Sequence, residues 1–209
     1  MKKLIPILLA VFALASCEKD PDMGKLDDNY LVYTNYDKKA DFKVPTFYLA
    51  PQILVISDSK EPEYLEGEGA EQILAAYTDN MEARGYEAAA DQESADLGIQ
   101  VSYIASTYYF TSYTQPEWWW GYPGYWGPSY WGNWGGWYYP YAVTYTYSTG
   151  SFITELLNLE ATQGEKEKLP VLWTSYMSGL LSGSTSVNTK LAIEGVNQAY
   201  TQSSYLTNK

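Results

Sequence analysis

The acidic side chains are the first candidates for chemistry, because the chain has no histidine and a single cysteine, Cys17. That composition removes the commonest general base and the commonest metal ligand. Glu61, Glu63, Glu66 and Glu68 crowd one predicted turn, and carboxylates held close together can acquire the raised pKa that a glycosidase needs. Because no apolar run desolvates the cluster, we interpret it as a solvated acidic loop and predict no catalytic residue, metal site or cofactor. A carboxylate enzyme is the weaker alternative.

Tryptophan is the second residue type that suggests a site. Seven of the eight tryptophans lie between Pro116 and Pro140, among glycines, prolines and tyrosines; they are Trp118, Trp119, Trp120, Trp126, Trp131, Trp134 and Trp137. Together they carry more than roughly 1,000 Å² of aromatic surface, beyond the patch usual on a soluble monomer. Indole faces suit the apolar faces of sugars, so these seven are candidate glycan-binding residues. The alternative is packing on the protein's own sheet.

The net negative charge of the chain limits which binding partners are expected. No Lys or Arg occurs between Glu87 and Glu165, and the net charge of −12 becomes −14 if Lys2 and Lys3 are removed. Because nucleic acids and anionic lipid surfaces are also negatively charged, they are disfavoured as binding partners of this chain. A neutral glycan or an envelope protein fits the tryptophan stretch better.

The amino terminus predicts a lipid anchor. Lys2 and Lys3 precede an apolar run that ends in Leu14-Ala15-Ser16-Cys17, which is the layout of a secretory signal at residues 1–16 followed by a lipobox. The run is shorter than the roughly 20 residues that cross a bilayer. We therefore expect Cys17 to be acylated, with residues 17–29 forming an acidic tether and the protein attached to the outer membrane on its periplasmic or surface side.

Periodicity predicts the elements that follow the tether. Residues 70–84 place apolar side chains at helical spacing before Gly85, and residues 187–202 do so again. Alternation predicts strands at residues 30–36, 46–56, 96–105, 141–147, 151–160 and 169–177, with residues 141–147 and 151–160 paired as a hairpin.

These elements predict one α+β domain over residues 30–206. We expect two layers, a mainly antiparallel sheet of about five or six strands with both helices on one face. Residues 107–140 form a long Trp/Tyr/Gly-rich insertion between two strands, where glycine and proline disfavour regular structure.

Several segments together resemble one family of bacterial envelope lipoproteins. "YDKKADF" (36–42), "TFYL" (46–49), "MEARGY" (81–86), "ADLGIQVSY" (95–103), "GSFITEL" (150–156) and "PVLWTS" (170–175) are similar to motifs of the domain of unknown function 4136 family. Asn35 and the pair Thr174-Ser175 depart from its pattern. The resemblance implies no established activity, so it agrees with a non-enzymatic structural or interaction protein.

Overall fold

A computed structural model describes residues 31–57, 59, 61–105, 137–141, 149–160, 168–179 and 184–209. Two helices and nine strands occur within these residues, which confirms the predicted α+β class. A short 3-10 turn at Gln92–Ser94 precedes the sixth strand. The strands and helices are β1 (Leu31–Tyr36), β2 (Thr46–Leu49), β3 (Ile53–Ile56), β4 (Glu63–Leu65), α1 (Glu68–Ala83), β5 (Glu87–Ala88), β6 (Leu97–Ile104), β7 (Trp137–Tyr138), β8 (Ser151–Asn158), β9 (Leu169–Ser178) and α2 (Thr185–Gln202).

The sheet is mixed rather than purely antiparallel. Its central order is β1-β9-β8-β6, and these neighbours are antiparallel. Both β2 and β3 pair with β6 in parallel, while β4 adds to β3 and β5 to β2. The physical reason is the helix α1, which lies in the connection from β3 to β6 and allows the crossover that parallel neighbours require.

The predicted strand at residues 46–56 is divided in two. Phe47 lies opposite Leu97 and Leu54 lies opposite Ser102, so the chain from β2 to β3 contains two more residues than the matching stretch of β6. Ala50 still donates its N–H to the carbonyl of Ile99 at 3.0 Å. Pro51 follows, and because it has no N–H it interrupts the ladder at this point.

Two other expectations differ from the structure. The acidic segment predicted as a turn contains the strand β4, which pairs with β3. Strand β8 has β6 on one side and β9 on the other along its length, so it pairs with β6 where we predicted a hairpin with residues 141–147. Of that predicted hairpin strand, residues 142–147 lie outside the described residues.

Both helices pack on one face of the sheet, as predicted. The predicted stripe of α1 is buried at Ala70, Ile73, Tyr77 and Met81, with Leu74 partly buried. Gly85 has φ +94, and the helix ends in a Schellman motif in which the N–H of Tyr86 reaches the carbonyl of Met81 at 3.2 Å.

The two helices run in the same direction, side by side. Near their amino ends, Gly69 of α1 lies against Thr189 of α2, and further along the Asn80 Nδ2 donates to the Asn197 Oδ1 at 2.7 Å. Their amino ends therefore lie together at one end of the domain. No helix among the described residues is long and apolar enough to cross a membrane.

The opposite face of the sheet is also buried. Its cluster contains Leu54, Ile56, Ile104, Ile153, Leu157 and Val171, together with Trp137. The sheet therefore has a second apolar layer on the side away from the helices, and Trp137 belongs to it.

Candidate functional site

Trp137 is the one predicted binding residue that the structure describes. It lies in β7, parallel to the start of β9 and opposite Leu169. Its side chain is only 1% exposed and packs among Ile153, Leu157 and Val171. For this tryptophan the structure shows packing on the protein's own sheet, so it does not present a free indole face to a ligand. The short strand also places regular structure at the end of the predicted irregular insertion.

The other predicted site residues lie outside the described residues. They are Cys17 and Trp118, Trp119, Trp120, Trp126, Trp131 and Trp134. The signal at residues 1–16 and the tether at residues 17–29 also lie outside. These assignments stay predictions.

A buried carboxylate lies beneath Trp137. Glu155 is in the middle of β8, and its side chain is 0% exposed. The indole Nε1 of Trp137 donates to the Glu155 Oε1 at 3.2 Å, and the hydroxyl of Tyr139 donates to the same oxygen. Hydrogen bonds to a carboxylate are among the stronger ones in proteins. They hold Trp137 and Tyr139, which lie near the C-terminal end of the aromatic segment (residues 116–141), against the sheet.

The neighbours of Glu155 across the sheet are polar as well. Gln100 of β6 and Thr174 of β9 lie directly opposite it on its two sides, and both are buried. The Tyr141 hydroxyl donates to the Thr174 Oγ1 at 3.5 Å, and the rings of Tyr139 and Tyr141 meet edge to face with centroids 6.1 Å apart. Polar side chains of three neighbouring strands therefore lie side by side on this face of the sheet, where Tyr139 and Tyr141 pack.

Complete burial decides what Glu155 can do. A catalytic carboxylate must reach a substrate, whereas this one faces an indole and a phenol of its own chain. Burying a carboxyl group without hydrogen-bond partners is unfavourable, so the donors of Trp137 and Tyr139 stabilise Glu155 inside the sheet. The hydrogen bonds from Trp137 and Tyr139 to Glu155 attach the end of the insertion to the sheet, and we call these two hydrogen bonds the fastening at Glu155.

Sequence reasoning missed Glu155, although a signal was present. Along β8 the residues Ile153, Glu155 and Leu157 share a face, so a lone acid alternates with apolar residues. Such a position predicts either a solvated edge or a buried, partnered carboxylate.

The acidic residues predicted as a solvated loop are exposed. Glu61, Glu63, Glu66 and Glu68 all have exposed side chains. Glu63 in β4 accepts a hydrogen bond from the Ser57 hydroxyl, and Glu68 at the start of α1 accepts from the Gln72 Nε2 at 2.9 Å. In the part of the chain that the structure describes, no three Asp, Glu, His or Cys side chains are grouped to hold a metal ion.

The comparison with protein families decides the assignment that the motifs suggested. The model described as "Domain of unknown function (DUF4136)" matches residues 32–203. The chain belongs to this family. The match extends from the first strand of the DUF4136 domain to the residue after α2, so it covers the sheet and both helices.

A solved DUF4136 protein from Bacteroides thetaiotaomicron is similar in sequence and structure. It is 80% identical, with a TM-score of 0.81 over 88% of this chain and all of the other. PelC from Paraburkholderia phytofirmans, solved as a dodecamer, is 10% identical with a TM-score of 0.35, covering 82% of this chain and 96% of that one. No curated protein shows significant similarity to the chain.

Proposed function

We propose that this DUF4136 protein is a lipid-anchored protein of the outer membrane with a structural or interaction role. The observation that carries the proposal is the sequence MKKLIPILLAVFALASC, in which a short apolar run ends at the only cysteine. Acylation of Cys17 would attach the domain without a membrane-spanning helix. The family name records no activity.

The distance from Cys17 to the fold supports this reading. Strand β1 begins at Leu31, so residues 18–30 lie between the acylated cysteine and the first strand. A flexible segment of that length spans about 20 Å. The proposed anchor would thus keep the domain close to the bilayer surface.

The absence of the usual reactive side chains supports a non-enzymatic role. The whole chain has no histidine, and its one cysteine is the proposed acylation site. Among the described carboxylates, Glu61 and Glu63 are exposed, and Glu155 is buried in the sheet and hydrogen-bonded to Trp137. We place its function in contacts with other envelope components.

Metabolic labelling tests the anchor. Cells that express the full chain are fed an alkyne fatty acid, and the purified protein is probed for the label. We expect label on the natural chain and none on Cys17→Ala, with Ser16→Ala as the matched control that keeps the label. Label on Cys17→Ala, or none on the natural chain, would show that Cys17 is not the anchor.

Glycan binding by the aromatic segment is the second candidate function. Tyr138 favours it, because this residue follows buried Trp137 directly and is 43% exposed. The fastening at Glu155 would therefore hold one end of the segment while an aromatic ring beside it faces solvent. Trp118, Trp119, Trp120, Trp126, Trp131 and Trp134 would supply the indole faces, for a neutral glycan.

Fluorescence titration tests this second function. Trp137 and Trp173 are each 1% exposed, so quenching or a wavelength shift on adding a neutral glycan should come from the other six tryptophans. We expect the response to be lost in a Trp118/Trp119/Trp120→Ala triple variant and kept in Trp173→Phe. If no envelope or host glycan changes the emission of the natural chain, the aromatic segment does not bind glycans.

A further inference from the structure

Strand β1 lies at an edge of the sheet. Among the strands that the structure describes, it pairs only with β9, and the register runs without a bulge from Leu31 to Tyr36. Its six residues make it longer than the edge strands β4 and β5, which have three and two. Proteins usually protect a long edge strand from pairing with another chain by a lysine, a proline or a bulge. Strand β1 has no lysine, proline or bulge.

The backbone groups of β1 that face away from β9 belong to Val32, Thr34 and Tyr36. The Val32 carbonyl accepts a hydrogen bond from the Gln202 Nε2 at 3.4 Å, so it is directed away from β9. The Tyr36 N–H donates to the Asn35 Oδ1 at 2.9 Å, which gives Tyr36 the same direction. Because alternate residues of an antiparallel strand face the same neighbour, Thr34 faces outward as well. Since Asn35 already caps the Tyr36 N–H, the part of this edge that can pair with another strand extends from Val32 to Thr34.

Two exposed apolar side chains lie on one face of the same strand. Leu31 is 58% exposed and Tyr33 is 46% exposed, and residues two apart in a strand point to the same side. The strand has no charged residue, although the whole chain has a net charge of −12. Two copies of β1 can therefore approach each other without bringing like charges together on the paired strands.

We infer that two copies of the chain pair through β1, in an antiparallel two-fold arrangement centred on Tyr33. Val32 of each copy lies opposite Thr34 of the other, so the outward N–H and C=O groups of these residues bond to each other. Tyr33 lies opposite its own counterpart, and aromatic pairs across neighbouring strands stabilise a sheet. The cap on the Tyr36 N–H stays in place, because Tyr36 lies beyond the paired stretch.

The charges on either side of β1 favour a second copy as the partner. In an antiparallel pair, the chain that leads into β1 of one copy approaches the end of β1 in the other. This leading chain carries Asp27 and Asp28. Lys38 and Lys39 follow β1 and are exposed. Opposite charges would therefore meet at both ends of the paired strands.

The length of the tether allows both copies to be anchored in one membrane. Leu31 of one copy lies opposite Asn35 of the other, so the two tethers enter the dimer about 13 Å apart, at roughly 3.3 Å per residue. Each tether spans about 20 Å, so both can reach the same bilayer. The inference does not depend on acylation of Cys17, since β1 belongs to the folded domain.

Disulfide crosslinking of full-length Tyr33→Cys in intact cells tests the inference. The Cα atoms of a directly opposed pair that is not hydrogen-bonded lie about 4.5 Å apart, a distance that a disulfide can bridge. On adding an oxidant we expect a dimer with twice the mass of the chain, which a reductant removes. The natural chain, whose one cysteine is Cys17, gives the background. No dimer above this background, or a disulfide to a protein of different mass, would overturn the inference.

Two other cysteine variants test the register. Leu31→Cys alone should crosslink at least about tenfold less than Tyr33→Cys, because its two copies lie beyond the roughly 7 Å that a disulfide allows between Cα atoms. Leu31→Cys and Asn35→Cys chains with different tags, expressed together, should form a mixed disulfide, since these two residues lie opposite each other. Equal crosslinking of Leu31→Cys and Tyr33→Cys would show random collision of an exposed strand and would contradict the two-fold pairing.

A proline at position 34 tests whether the backbone makes the contact. Thr34→Pro, introduced into the Tyr33→Cys chain, removes the outward N–H while the bonds to β9 remain. Crosslinking should fall by about tenfold or more, because one hydrogen bond is lost from each Val32–Thr34 pair. Thr34→Val is the matched control, since it keeps the N–H and should crosslink normally.

Thermal unfolding shows whether the Thr34→Pro chain is folded. Undiminished crosslinking in a folded Thr34→Pro chain would contradict pairing through the backbone. If this variant does not fold, the mixed disulfide between Leu31→Cys and Asn35→Cys decides, because its absence contradicts the pairing without any proline.

Discussion

Replacing Tyr139 by Phe removes one hydroxyl from a carboxylate that the fold buries completely. In the natural chain that hydroxyl and the Trp137 indole both donate to the Glu155 Oε1. After the substitution, the Trp137 indole still donates to the Glu155 Oε1 at 3.2 Å. The phenylalanine ring has only a C–H group where tyrosine had its hydroxyl, so the second donor is lost. The substitution changes no other part of the side chain, so its effect reports the contacts of this hydroxyl, including the hydrogen bond to Glu155.

The expected loss follows from the burial of the acceptor. Removing one donor from a buried acceptor costs about 1–3 kcal/mol, and Glu155 is 0% exposed, so water cannot replace the lost donor. We expect the free energy of unfolding to fall by about that amount. For a domain of this size it corresponds to a decrease in Tm of about 2–4 °C per kcal/mol.

Tyr138→Phe is the matched control for this measurement. Tyr138 is the neighbouring residue and is 43% exposed, so its hydroxyl is hydrated in the folded chain. Loss of that hydroxyl should change stability by less than about 0.5 kcal/mol. Chemical and thermal unfolding of both variants, followed by circular dichroism, give the comparison. If Tyr139→Phe is no less stable than Tyr138→Phe, the fastening at Glu155 does not exist as described.

A double-mutant cycle separates the hydrogen bond from other effects of the hydroxyl. In Glu155→Gln the acceptor is a neutral amide, and a neutral hydrogen bond contributes only about 0.5–1.5 kcal/mol. Tyr139→Phe should therefore cost about 1 kcal/mol less in the Gln background than in the natural one. Equal losses in the two backgrounds would show that the hydroxyl of Tyr139 is not coupled to the charge of Glu155.

Two further predictions concern stability. Gly85→Ala should destabilise the domain by about 1–2 kcal/mol, because Gly85 has φ +94 and an added Cβ would lie 3.2 Å from the Lys209 Cγ. The control Ala83→Gly, at the end of the same helix, should cost no more than about 1 kcal/mol. Equal losses of the two variants in urea unfolding would contradict the strain argument. Stability should also fall as pH rises above about 10. Burial raises the pKa of Tyr77 and Tyr200 in the folded state, while tyrosines in the unfolded chain ionise near pH 10. Each of these two tyrosines should lower the free energy of unfolding by up to about 1.4 kcal/mol per pH unit. Urea titrations between pH 8 and 11 measure this slope, and a flat profile would refute it.

The helices were predictable because their signals are local. In α1 the apolar residues recur at helical spacing, and Gly85 provides the left-handed residue that a Schellman motif requires. Only the end residues differ, since the predicted 70–84 became Glu68–Ala83. Periodicity and a stop signal act within one turn of the chain, so the sequence contains them.

Strand pairing was less predictable because it depends on distant segments. Alternation correctly identified β6, β8 and β9 as strands, yet it did not show that β6 would occupy the edge of β8 assigned to residues 141–147. Nor did it show that β2 and β3 would join β6 in parallel. Partner choice is a property of how the whole sheet assembles, and local alternation is the same for either partner.

The candidate site shows the same division. By itself the sequence determined that residues 116–140 carry an unusual concentration of tryptophan, that Cys17 ends a signal-like run, and that Glu155 shares a strand face with Ile153 and Leu157. Only the tertiary structure decided that Trp137 and Tyr139 cover this face and donate to Glu155. The physical reason is that alternation fixes the direction of a side chain relative to its strand, whereas burial depends on which distant segment packs against that face.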